Sequence, residues 1–223
     1  MSTATENRHL TRTNLPATGT APTHPRLLAW LDEVVELCRP DAIHYCDGSD
    51  AEWARLVREL EAKGTIIRLN EKLRPNSILA RTDPDDVARV EDQTFICSKD
   101  ERNAGPTNNW MDPEQMKRIM TPLFDGAMVG RTMYVMPFCM GSLDAEDPKF
   151  GVEVSDSAYV ALSMKIMTRM GAETLARMEE TDADFVPALH SVGMPLGDGH
   201  EDVPWPCNEI KYIVHFPDER LIW

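Results

Sequence analysis

An α/β fold, a mixed sheet flanked by helices, is predicted by three observations. Short apolar strand-like runs alternate with amphipathic helical stretches, no stretch repeats, and Asp, Ser, Gly and Pro fall where helices start and stop. At 223 residues the chain is long enough for one large or two small domains with a substantial core.

Residues 1–24 are rich in Thr, Ala and Pro with few apolar side chains and read as a disordered tail, so the folded domain is expected over 25–223. Leu27, Leu28, Leu31, Val34, Val35 and Cys38 recur at helical spacing, and Pro40 stops that helix. The apolar stretch Ile43 to Cys46 reads as a buried strand. Asp47-Gly48-Ser49 then turns into a second helix, with Ser49 and Glu52 spaced as a capping box, Trp53, Leu56, Val57 and Leu60 on one face, and Gly64 as C-terminal cap. Strands are expected at Thr65–Leu69, Thr94–Cys97, Thr132–Phe138 and Ile210–Phe216, and Asp112-Pro113-Glu114 opens a short helix. Ser157–Met170 is the most strongly helical segment, with Val160, Met164, Met167 and Met170 on one stripe that reads as a deformable core face, and Gly171 ends it.

Charge excludes several functions. Lys plus Arg total 23 against 37 Asp plus Glu, a formal net charge of -14. A nucleic-acid binder needs a basic stripe to release counterions, and an anionic lipid surface repels such a chain. An anionic substrate must therefore be drawn in by local arginines working against the field of the whole molecule. The five cysteines, at 38, 46, 97, 139 and 207, form no Cys-x-x-Cys pair and leave an odd thiol, which suits a reducing cytoplasm. No secretory signal is visible at the N-terminus, and the longest uncharged run, Thr132 to Leu143, is about half of what a membrane helix needs.

The strongest local sign of chemistry is Asp83-Pro84-Asp85-Asp86-Val87-Ala88-Arg89. Asp83 is suited to cap a helix, Pro84 to its first position, and the carboxylates of Asp85 and Asp86 to the positive end of its dipole. Arg89 then leaves the helix as a two-pronged receptor for a carboxylate or phosphate. The competing reading is a surface pair with one of the many acids nearby.

Other signatures are absent or weak. There is no Gly-rich loop ending in Gly-Lys-Ser or Gly-Lys-Thr, and Gly197-Asp198-Gly199 lacks the third glycine of a dinucleotide fingerprint. His200, Glu201, Asp202 and Cys207 read as a solvated acidic loop rather than a metal site. His190-Ser191 reads as a core histidine beside Gly193 rather than a nucleophile and its base. Arg131 opens the strand that ends at Pro137 and Gly141, where an α/β sheet offers a crevice. Arg169 falls in the last turn of the methionine helix, a favourable place for a cation. Both are read as structural.

The segments Asp83–Glu91, Gly105-Pro106-Thr107-Asn108-Asn109-Trp110-Met111, Gly130-Arg131-Thr132-Met133-Tyr134-Val135, Met167-Thr168-Arg169-Met170-Gly171 and Leu189-His190-Ser191-Val192-Gly193, together with Asp47-Gly48-Ser49, resemble the amino-terminal part of GTP-dependent phosphoenolpyruvate carboxykinase, in the same order from about Pro25 to the last residue. Ser142, where relatives often have proline, and Lys165, where arginine is common, are small departures. The resemblance implies the reversible conversion of oxaloacetate and GTP into phosphoenolpyruvate, GDP and carbon dioxide. It also implies that Arg89 binds the substrate carboxylate and that Mn2+ and GTP are held by a following C-terminal domain. No catalytic, cofactor-binding or metal-ligating residue is then expected in this chain, which alone should be inactive. The alternative is a stand-alone, non-catalytic module with the same fold that binds anions or a partner.

Overall fold

Helix starts are where local chemistry speaks most directly. The computed structural model describes residues 11–81, 91–193 and 211–223. Helix α1 (Pro25–Cys38) begins with a proline in its first turn and the His24 side chain accepting from the Leu27 N–H. Arg39 ends it in the left-handed conformation, its N–H returning to the Val35 carbonyl, and Pro40 follows. Helix α2 (Asp50–Ala62) is capped by Ser49, whose hydroxyl accepts from the Glu52 N–H. Helix α3 (Pro113–Phe124) is capped by Asp112, which accepts from the Gln115 N–H at 2.9 Å.

One ten-stranded sheet runs in the order β1 (Ala17–Thr18), β2 (Ala42–Tyr45), β7 (Thr132–Met140), β8 (Lys149–Ser155), β10 (Phe185–Leu189), β12 (Leu221–Ile222), β11 (Ile213–Phe216), β5 (Thr94–Ile96) and β6 (Asn109–Trp110). The short β9 (Arg169–Met170) takes the edge of β7 beyond the end of β2. Pairing is parallel except at β7–β8, β7–β9 and β11–β12, so the expected mixed sheet is found. A separate antiparallel pair joins β3 (Ile66–Arg68) and β4 (Ile78–Ala80).

Strand β7 reads as a continuous apolar run because both its faces are covered. Met133, Val135 and Cys139 enter one core with α1 and α3, whereas Tyr134 and Met136 enter a second with α2 and α4 (Ala158–Met167). The alternation is the strand period of two.

Several expectations are corrected. Of the tail expected over 1–24, residues 11–24 are structured: a 3-10 turn at Arg12–Asn14 precedes β1, which pairs with β2. Residues 1–10 lie outside the described residues. The helix expected to reach Met170 stops at Met167, where Thr168 turns extended and its hydroxyl bonds the Met164 carbonyl. The free edge of β7 then claims Arg169 and Met170 as β9. The methionine stripe is not a core face throughout, since Met164 is buried but Met167 is 66% exposed. Helix α5 (Ala172–Glu180) and the central strands β8 and β10 are not announced by the sequence, because Gly151 and Pro187 interrupt runs that otherwise suit strands.

Candidate active site

Arg89 and the rest of the Asp83–Arg89 motif lie outside the described residues, and the site is built from what brackets them. On one side β4 ends at Ala80. On the other, a 3-10 turn at Glu91–Gln93 leads into β5. The Asn109 Nδ2 amide, on β6, donates to the Glu91 carbonyl at 2.7 Å and the Thr94 carbonyl at 3.0 Å, so a single side chain spans the whole turn. Next to it the Trp110 indole N–H donates to the Ser98 carbonyl at 2.8 Å, and the Asn108 amide to the Ala104 carbonyl at 2.7 Å. Asn109 therefore braces the turn that leads into β5, while Asn108 and Trp110 tie β6 to the chain after β5. Bonds as exposed as the two from Asn109 fall at the low end of the usual range, about 0.5 kcal/mol net each.

A tight junction forms where β2 ends beside the middle of β7. After β2 the chain turns through Asp47-Gly48-Ser49, and Glu52, buried in α2, reaches back past its expected partner. Its carboxylate accepts from the Asp47 N–H (3.1 Å) and the Gly48 N–H (2.9 Å) rather than from Ser49. Ser49 N–H instead goes to the Asp47 carboxylate at 2.7 Å, which, through the Ser49 hydrogen bonds, lowers the Asp47 pKa against the opposing effect of burial. This turn meets the β9–α5 turn backbone to backbone. A Cβ on Gly171 would stand 2.2 Å from the Asp47 carbonyl oxygen, and one on Gly48 2.2 Å from that of Met170. Ala172 N–H donates to Asp47 O (3.0 Å) and Gly171 N–H to Pro137 O (2.9 Å). Both glycines have positive φ, +70° and +116°, so a side chain there is excluded by conformation as well as by space. Arg169 is exposed on β9, one residue before this junction, and not in a helical last turn.

Arg131 and Ser191 meet around Asp156. Arg131 is 4% exposed; its Nη1 donates to the Ala127 carbonyl at 2.7 Å and lies 3.4 Å from Asp156 Oδ2. Asp156 also accepts from Ser191 Oγ and the Val192 N–H, both at 2.9 Å. Burial raises its pKa, and the Val192 N–H, Arg131, Ser191 and His190 oppose that rise. His190 points elsewhere, with Nδ1 2.8 Å from Ser155 Oγ, and it is exposed, so it is not the core histidine expected. The two neighbours serve different partners, which fits no nucleophile–base pair. A cavity of about 170 Å³ beside this cluster is lined by Lys63, Thr65, Arg131, Tyr134, Asp156 and Tyr159. His200, Glu201, Asp202, Cys207 and the Gly197–Gly199 turn lie outside the described residues.

Residues 29–223 match the family model described as "Phosphoenolpyruvate carboxykinase N-terminal domain". The chain belongs to this family. Among relatives named phosphoenolpyruvate carboxykinase [GTP], those of Paenarthrobacter aurescens (strain TC1) and Arthrobacter sp. (strain FB24) are 62% and 60% identical to it over 210 residues, 94% of this chain in each case. That of Renibacterium salmoninarum is 59% identical over 209 residues, 93% of the chain. The chain spans about one third, 34%, of the length of each of these relatives.

Within this carboxykinase domain, sequence reasoning missed the structural work of Asn109 and Glu52. Asn109 was visible as part of a motif, yet its bond partners lie up to 18 positions away and only the β5–β6 pairing brings them together. Glu52 was visible as a capping-box acid, and the turn at Gly48 redirects its carboxylate by one and two residues, to the Gly48 and Asp47 N–H groups.

Proposed function

We propose that this chain is the amino-terminal, oxaloacetate- and phosphoenolpyruvate-binding domain of a GTP-dependent phosphoenolpyruvate carboxykinase, acting in the cytoplasm in gluconeogenesis. The observation that carries the reading is the match over 29–223, together with about 60% identity to carboxykinases named for GTP over nearly the whole chain. Residues 25–223 constitute the domain, and residues 11–24 add an edge strand to its sheet.

In this reading Arg89 receives the substrate carboxylate as a charge-assisted fork, drawing an anion into a molecule of net charge -14. The clamp of Asn109 on Glu91 and Thr94 fixes the turn two residues after Arg89 in the chain. Decarboxylation of oxaloacetate leaves an enolate whose charge must be stabilised until a phosphoryl group is transferred from GTP, and Mn2+ supplies part of that stabilisation. Mn2+ and GTP are assigned to the part of the enzyme beyond this chain. The role of residues 25–223 is to bind and orient the organic acid. Arg131, buried against Asp156, and Arg169, on β9, shape the domain without touching substrate. The acidic balance speaks against nucleic-acid partners, and no described helix is long and apolar enough to cross a membrane.

The test is the reaction itself. The full-length protein should form phosphoenolpyruvate and GDP from oxaloacetate and GTP, and the 223-residue chain alone should form none. Turnover by the isolated chain, or none by the full-length protein supplied with Mn2+, would overturn the assignment.

A further inference from the structure

A single imidazole nitrogen on β2 has more claims on it than it can meet. Arg55 Nη2, which can only donate, lies 2.8 Å from His44 Nε2, so that nitrogen must offer its lone pair. The ring proton then sits on Nδ1, where Thr18 Oγ1 stands at 2.7 Å to accept it. Yet Glu52 Oε1 is also 2.6 Å from the same Nε2, and an ionised carboxylate has no proton to give. If Nε2 carries the proton instead, the Glu52 contact is satisfied and an Arg55 N–H faces an N–H. No proton arrangement of a neutral histidine serves both neighbours.

A third group completes the cluster. His44 and Cys46 are two apart along β2 and its continuation, so their side chains leave the same face of the sheet. That face meets Glu52 on α2, and a nitrogen, a sulfur and an oxygen of the three residues lie within 4.8 Å of one another. All three are shielded: the His44 side chain is 12% exposed, that of Glu52 4%, and Cys46 as a residue 4%. Imidazole, thiolate and carboxylate together are the donor set of zinc-class cations.

We propose that His44, Cys46 and Glu52 form a binding site for a divalent cation of the zinc class, with His44 Nε2, Cys46 Sγ and a Glu52 carboxylate oxygen as ligands and a fourth position open. Around a tetrahedral ion such ligands stand about 3.3–3.7 Å apart. The cluster therefore closes by about 1 Å at its widest and opens slightly between His44 and Glu52. The outer shell is already in place. Thr18 holds the Nδ1 side of the imidazole, and the Asp47 and Gly48 N–H groups hold the Glu52 carboxylate. Binding converts the Cys46 thiol, which burial and then Glu52 hold in its protonated form, into a thiolate and releases one proton to solvent. Arg55 is the group the ion must displace. It has somewhere to go, because its Nη1 already bonds Glu59 at 2.7 Å, on the exposed side of α2.

The experiment is a cobalt(II) titration of the full-length protein, following the near-ultraviolet thiolate-to-cobalt charge-transfer band, with zinc used to displace the cobalt. The band should appear, disappear on adding zinc, and be absent in Cys46→Ser. His44→Gln should weaken the binding read from that band by more than the roughly 10- to 100-fold that follows loss of an outer-shell partner. Arg55→Ala should tighten it, an outcome that a network of hydrogen bonds alone does not produce. Melting curves of the apo variants show whether each is folded, and Cys46→Ser, nearly isosteric, keeps the test open if His44→Gln fails. No charge-transfer band in the wild-type protein, or an undiminished band in folded Cys46→Ser, would overturn the proposal.

Discussion

The half of the sheet around β7 and the edge that carries β5 and β6 are held by different means. Around β7 the chain is locked by main-chain contacts and buried charge. Gly48 and Gly171 bring two turns into backbone contact at one end, and Arg131 pairs with Asp156 at the other. Both faces of β7 are covered by helices. At the β5–β6 edge, Thr94, Phe95, Ile96 and Trp110 are only half-buried, and the turn after the Arg89 segment is held by the amide of the exposed Asn109. Substitutions around β7 should therefore cost folding, and substitutions at the edge should cost ligand binding with little change in stability.

The largest expected effect is in the β7 half. Asp156→Ala removes a buried carboxylate that pairs with Arg131 and accepts from Ser191 Oγ and the Val192 N–H, and should destabilise the protein by about 3–5 kcal/mol, read from the urea midpoint. Gly171→Ala combines a clash with the Asp47 carbonyl and a left-handed φ, and should cost about 2–4 kcal/mol in the same measurement. A loss under 1 kcal/mol in either would mean that this half yields more readily than its contacts suggest.

Glu153 lies on β8, in the half around β7. It faces the second core, opposite Met136 and beside Ala188, and burial alone raises its pKa from 4.5 to about 7. The folded state thus holds this proton where the unfolded chain has released it. Its contribution to stability is full below about pH 4.5, declines as pH rises between 4.5 and 7, and stays low above that. Glu153→Gln should be more stable than the wild type at pH 8 by about 1–3 kcal/mol and should lose that advantage at pH 4, in denaturation curves taken at both. The smallest stability change belongs to the edge: Asn109→Ala should cost about 1 kcal/mol or less. In the full-length enzyme it should raise the KM for phosphoenolpyruvate several-fold with kcat nearly unchanged. An equal fall in kcat would show that the clamp acts beyond substrate positioning.

The same contrast explains what was legible in the sequence. Helix starts at Ser49 and Asp112 were readable because a cap and its partner lie three residues apart. Strand β7 was readable because burial on both faces leaves an unbroken apolar run. What escaped depends on pairing between distant segments. Pro187 and Gly151 disguise β10 and β8, which are recognisable only through their register with each other and with β7. The edge of β7 recruits Arg169 out of its predicted helix, and β2 recruits Ala17 and Thr18 out of a predicted tail. Arg89, which lies outside the described residues, stood out in the sequence through the capping pattern before it and the family resemblance around it. The Asn109 clamp needed the β5–β6 register, and the contacts of His44 and Glu52 needed a helix folded back on its own strand.

The most direct test of the central claim is the affinity of the full-length enzyme for phosphoenolpyruvate and oxaloacetate with Arg89 replaced by alanine. Removing a charge-assisted pair of about 1.5–3 kcal/mol predicts binding weaker by about 10- to 150-fold for both acids. Unchanged affinity for both would contradict the assignment of Arg89 as the receptor for the substrate carboxylate.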